Sequence, residues 1–64
     1  LAANVRRYRT SLGYSQEKLA IVCHLHRTYI GSVERRERNI TLSTLEVLAK
    51  GLGVTPCDLI TRRE

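Results

Sequence analysis

The chain has 64 residues and a formal net charge of +5, so it is expected to hold one domain, near the lower size limit at which a single apolar core closes without staples. The charge is uneven: residues 1–32 carry five basic and one acidic side chain, and residues 33–64 carry six and five, which favours a polyanionic partner or an anionic surface. Two cysteines far apart, Cys23 and Cys57, with no signal-like or membrane-length apolar run, argue against a disulfide scaffold or a helical anchor and for free buried thiols in a reducing cytoplasm. Leu1 stands where an initiating Met would, and the expectation is a fragment or a processed chain.

In chain order, residues 2–12 place Val5, Tyr8 and Leu12 on one face and Asn4, Arg6, Arg7 and Thr10 on others, the period of an amphipathic helix that Gly13 stops. Ser15 can cap a second helix, with Glu17 near its positive end and Leu19, Ala20 and Cys23 facing inward. A turn at His24 and Leu25 follows, and a third helix is predicted from His26 or Arg27 to about Arg35, with Ile30 and Val33 as its buried seam. Thr41 caps a fourth helix built on Leu45, Leu48, Ala49 and Leu52, and Gly53 sits where a left-handed cap is expected. "TPCD", Thr55 to Asp58, supplies a cap, a proline at the first helical position and an acid at the third, opening a short fifth helix with Leu59 and Ile60. Short connections between five helices predict an all-α bundle.

From Gln16 to Arg35 the apolar spacing, with small Ala20 where two helices would cross closely, is that of a helix-turn-helix whose second helix is presented to a major groove. The stretch "LHRTYIGSVERRER", Leu25 to Arg38, puts four arginines and a tyrosine around one apolar seam. With Ile30 and Val33 taken as buried, Thr28, Gly31, Ser32 and Arg35 point the opposite way, flanked by Arg27 and Tyr29. Arginine can make a bidentate contact to guanine, threonine can touch a thymine methyl and serine can bond several base edges, so Arg27, Thr28, Tyr29, Ser32 and Arg35 are the candidate base-reading residues. Gly31 costs roughly 1 kcal/mol of helix stability relative to alanine and would let the groove approach closely. Arg36, Arg38 and Asn39 follow and could clamp the flanking phosphates; the competing reading is loop charges that confer solubility.

"SQEKLA", "YIGSVERRERN" and "LEVLAKGLGV" together resemble the Cro and phage-repressor (XRE) type of helix-turn-helix domain from Leu12 to Ile60. The stretch "RTYIGSVERRERNITL" is similar to the controller proteins of restriction–modification systems. The resemblance implies a lambda-repressor-like five-helix fold and a phosphate contact from Gln16 at the start of the second helix. It also implies a structural ion pair between Arg9 and Glu34, and pairing of two copies through the C-terminal region, with Ile60 at the seam, Leu59 inward, and Thr55, Asp58 and Arg62 at the rim. One departure is His24, where the family has glycine in a left-handed turn; histidine tolerates that conformation better than most residues.

The expected function is therefore sequence-specific binding of double-stranded DNA by a transcriptional regulator, a homodimer on a palindromic operator in a prokaryotic or phage setting. The alternatives are a DNA-binding fragment of a larger phage repressor, antitoxin or methyltransferase, and a protein-interaction module. Cys23, His24, His26 and Cys57 lack the repeated spacing of a zinc site, so no metal or other cofactor is expected. No nucleophile, base and orienter stand together in the sequence, and catalysis is not expected.

Overall fold

Each predicted element forms, because each carries its own start or stop signal. The structure is a computed structural model that describes residues 1–61. Among these residues it contains helices α1 (Ala2–Ser11), α2 (Gln16–Cys23), α3 (Arg27–Glu34), α4 (Leu42–Leu52) and α5 (Pro56–Ile60) and no strand. The hydroxyls of Ser15, Thr41 and Thr55 accept backbone amides of the first turns of α2, α4 and α5. At α5 the Asp58 carboxylate returns the bond to the Thr55 amide, completing a reciprocal cap.

The helices end as they begin, by rule. After α4, Gly53 takes φ 71°, its amide bonds Lys50 O at 3.2 Å and the Val54 amide reaches back to Ala49 O at 2.9 Å, the paired hydrogen bonds of a left-handed terminus. α1, α2 and α3 end the same way around Gly13, His24 and Arg36, whose φ values are 74°, 56° and 62°. His24 thus adopts the expected left-handed turn without being glycine.

Every helix supplies at least one fully buried apolar side chain, among them Val5, Leu19, Ile30, Leu48 and Leu59. Ala20 and Ala49 are small enough to let neighbours close over them, and Cys23, Val33, Leu45 and Leu52 complete the core. α2 packs on α3 and α4, while α1 bridges α3, α4 and α5. α3 is thereby held by α1 and α2, buried from Ile30 to Glu34 and exposed at Arg27 and Thr28 at its start.

Three expectations are corrected by chain geometry. Leu12 is 48% exposed, because α1 is buried through its first half, at Ala2, Asn4 and Val5, and Leu12 lies just past its far end. Asn4, assigned to an outer face, is buried; its Nδ2 donates to Leu59 O at 2.9 Å and Thr61 O at 2.6 Å. The amide gives a donor to carbonyls at the end of α5, where the last turn of a helix leaves its acceptors without intrahelical amides. Cys23 is a buried thiol, but Cys57 is exposed because it follows Pro56 on the outer side of α5.

Candidate nucleic-acid interface

α3 is aimed by the turn before it and the ion network behind it. In the turn, the Leu25 amide bonds Ala20 O at 2.9 Å and His26 Nδ1 accepts the Thr28 amide at 3.1 Å, so His26 caps α3. Behind α3, Glu34 has no exposed side-chain surface. Its Oε2 accepts Arg9 Nε at 2.7 Å, and its Oε1 accepts Arg9 NH2 at 3.0 Å, Gln16 Nε2 at 3.2 Å and Arg6 Nε at 3.3 Å. Arg9 NH1 also donates to Tyr14 O at 2.7 Å. One carboxylate therefore fastens α1, the start of α2 and the end of α3. Burial pushes the Glu34 carboxyl up, and the bonds from Arg9, Gln16 and Arg6 more than offset this, holding it below the usual carboxylate range. The same contact holds the Arg9 guanidinium in its charged form.

On the outward side, Arg27, Thr28 and Arg35 are exposed, and with Ser15, Gln16, Glu17 and Gly31 they line one shallow concavity between α2 and α3. Gly31 itself is buried: a Cβ there would stand 3.0 Å from Arg35 NH1 and 3.4 Å from Gln16 Oε1. The missing side chain therefore seats two polar side chains of the chain's own, where sequence reasoning saw only room for a groove.

Ser32 does not point outward. It is 6% exposed, its hydroxyl donates to Tyr29 O at 2.7 Å and accepts Arg38 Nε at 2.8 Å. The wheel failed here because the chain after α3 folds back and lays Arg38 over that face. The Arg38 guanidinium also stands 5.0 Å from the centroid of the half-buried Tyr29 ring, a cation–π distance. Tyr29, Ser32 and Arg38 thus form one array, while Arg36 and Asn39 are exposed beside it.

Sequence reasoning missed Glu37. Its carboxylate accepts Arg35 Nε at 3.1 Å and Arg35 NH2 at 3.2 Å, and hydrogen bonding to Arg35 holds it below the usual range. The signal was an acid inside the basic run "RRER", which the charge count alone passed over. Arg27 has a looser partner, Glu17, at 3.6 Å.

On α5, Thr55 is exposed and Asp58 half-buried, both engaged in the cap of the helix. Leu59 is fully buried while Ile60 is 60% exposed. Arg62 lies outside the described residues. Burial pushes the Cys23 thiol up, away from its reactive form. Among the described residues no three metal-ligating side chains gather, and no helix is long and apolar enough to cross a membrane.

Comparison with known proteins places this geometry among relatives. A family model described as "Helix-turn-helix" matches residues 5–59. Over 63 residues the chain is 60% identical to the control protein C.SmaI of Serratia marcescens, covering 98% of this chain and 75% of that one. Its structure superposes on the restriction–modification controller protein C.AhdI of Aeromonas hydrophila with a TM-score of 0.89 at 41% identity, covering 92% of this chain and 89% of the other. It also matches C.Esp1396I, solved in a nucleoprotein complex, with a TM-score of 0.79 at 32% identity over 95% and 90% of the two chains. The chain belongs to the helix-turn-helix family of DNA-binding regulators, in the branch of the restriction–modification controller proteins.

Proposed function

We propose that this protein is a sequence-specific, double-stranded DNA-binding transcriptional regulator of the controller type. It works as a homodimer on a palindromic operator in a prokaryotic cytoplasm. The observation that carries the reading is the division along the reading segment: Ile30 and Val33 are packed in the core and Glu34 is buried behind them, while Arg27 and Thr28 of α3 and Arg35 just past its end stand exposed over one concavity. That division presents hydrogen-bonding side chains at a fixed angle, which is what base readout in a major groove needs.

The roles divide accordingly. Arg27, Thr28 and Arg35 reach base edges, and Tyr29 lies at the flank of that set. Ser32, whose hydroxyl is already committed on both sides, holds Arg38 instead of reading a base. Arg36, Arg38 and Asn39 meet the flanking phosphates. Gln16 lies at the start of α2, where exposed amides and the helix dipole favour a phosphate. One α3 covers only a few base pairs, so a second copy is required for a useful preference over a genome. Ile60, exposed beside the buried Leu59, is the apolar residue α5 offers for that pairing.

Selection of bound sequences from random duplex DNA tests this directly. A two-fold symmetric consensus is expected, with Arg27→Ala and Thr28→Ala each costing about 1–3 kcal/mol on it and relaxing preference at particular base pairs. Arg38→Ala is expected to weaken matched and shuffled duplexes alike and to reduce the salt slope by about one. Equal losses for all three variants on both duplexes would remove the base-reading assignment. Sedimentation with and without the consensus duplex tests the dimer, and a one-to-one complex unchanged by Ile60→Glu would remove it.

A further inference from the structure

We propose that Glu37 is a specificity-determining residue: in the free protein its carboxylate occupies the two-nitrogen edge of Arg35, and release of that edge is reserved for the correct DNA sequence. This rests on α3 being the DNA-reading helix. A carboxylate beside a polyanion is a liability unless it does something there, and the local geometry shows how Glu37 is put to use. The left-handed Arg36 turns the chain, the Glu37 amide bonds Ser32 O at 2.9 Å, and the Glu37 side chain is thereby sent back along α3 towards Arg35. Its two oxygens meet Nε and NH2 in parallel. This is the fork that would otherwise grip the O6 and N7 of guanine or two phosphate oxygens. The remaining nitrogen, NH1, rests above Gly31 in space that a Cβ would deny it. Arg35 is therefore parked by the carboxylate on one side and by the glycine below.

The parked state can open, because the pair is 55% and 57% exposed and exposed ion pairs are weak and screened. On an incorrect sequence the domain can dock with the pair closed, and Arg35 then adds no phosphate contact. On the correct sequence a guanine edge offers two fixed acceptors, and the pair opens. Removing the carboxylate frees Arg35 for any phosphate, so non-specific binding gains one full ionic contact while specific binding gains only the small cost of opening. Glu17 at Arg27 is a looser version of the same arrangement, with a single contact at 3.6 Å.

The test compares Glu37→Gln with Glu46→Gln, which adds the same charge on the exposed side of α4. The duplex selected by the wild-type chain and a shuffled duplex of the same composition are titrated at several salt concentrations. Glu37→Gln is expected to tighten the shuffled duplex about fivefold near 0.1 M salt and to steepen its salt slope by about one, with less than about a twofold gain on the selected duplex. Glu46→Gln is expected to move both duplexes equally and to leave the slope unchanged. Equal gains on the two duplexes with Glu37→Gln, or the same narrowing with Glu46→Gln, overturn the role of Glu37 while leaving α3 as the reader. If the wild-type chain selects no sequence at all, the reading of α3 falls and this proposal falls with it.

Discussion

Glu34 and Glu37 lie three residues apart and carry the same group, yet they face opposite environments. Glu34 has no exposed side-chain surface and is held by Arg9, Gln16 and Arg6 from two other helices. Glu37 stands in solvent, and its carboxylate bonds a neighbour on its own segment, Arg35. The left-handed Arg36 between them reverses the chain and separates the two environments. A charge that cannot reach water must be answered in full by the fold, so Glu34 is structural. A charge that can reach water is free to exchange partners, so Glu37 can take part in binding. Position relative to α3, not residue type, decides which carboxylate does which.

The largest expected effect breaks the buried side of this comparison. Glu34→Ala leaves the Arg9 guanidinium, itself only 13% exposed, facing an empty site, and breaking a buried pair in this way costs about 3 kcal/mol or more. That is a large fraction of the stability of so small a domain. Arg9→Ala is expected to do comparable damage, since it also releases Tyr14 O. The double variant should lose less than the sum, and denaturant melts of the four proteins measure the coupling. Strict additivity would mean that the two groups do not stabilise each other.

Acid sharpens the same point. The Glu34 carboxyl titrates below its ordinary value of 4.5 in the folded chain. Its contribution is therefore fully present above about that pH and is lost as pH falls towards the folded value. Melts between neutral pH and pH 3 are expected to show a steeper acid loss in the wild type than in Glu34→Gln. A Glu34→Gln chain with the full wild-type acid loss would place the responsible carboxylate elsewhere.

A smaller effect lies at the other end of α3. His24 takes φ 56° with its side chain exposed, so glycine there relieves backbone strain without removing packing. His24→Gly is expected to raise stability by about 0.5–1 kcal/mol, read as a higher denaturant midpoint. Unchanged preference between selected and shuffled duplexes should accompany it. The variant also offers a sturdier background in which Glu34→Ala can be examined folded. A lowered midpoint would mean that the imidazole contributes more than its exposure suggests.

The fold was legible because its signals are local. Ser15, Thr41, Thr55, Gly13 and Gly53 each mark a terminus within four residues of themselves, and the apolar spacing identifies a buried residue in each of the first four helices. What escaped the sequence was set by distant or reversed chain. Nothing near Asn4 announces carbonyls of Leu59 and Thr61 more than fifty residues away. A helical wheel turns Ser32 outward because it holds the helix but not the loop, and the loop returns Arg38 across it. The outward placement of Arg27, Thr28 and Arg35 needed only the helix period; the partners Glu17 and Glu37 needed the turns on either side.

The smallest expected effect closes the comparison from the exposed side. Glu37→Gln removes a pair that water and salt already weaken, on a segment whose backbone is fixed independently by the Glu37 amide bond to Ser32 O. The denaturant midpoint is therefore expected to stay where it is, with the helical circular dichroism spectrum unchanged. Glu37 also titrates below its ordinary value, but in solvent that shift weighs little, so the acid loss of Glu37→Gln should follow the wild type and not Glu34→Gln. If Glu37→Gln instead lowered the midpoint as far as Glu34→Gln does, the bond to Arg35 would be holding the end of α3 together. The separation of a structural carboxylate from a binding one would then have to be abandoned.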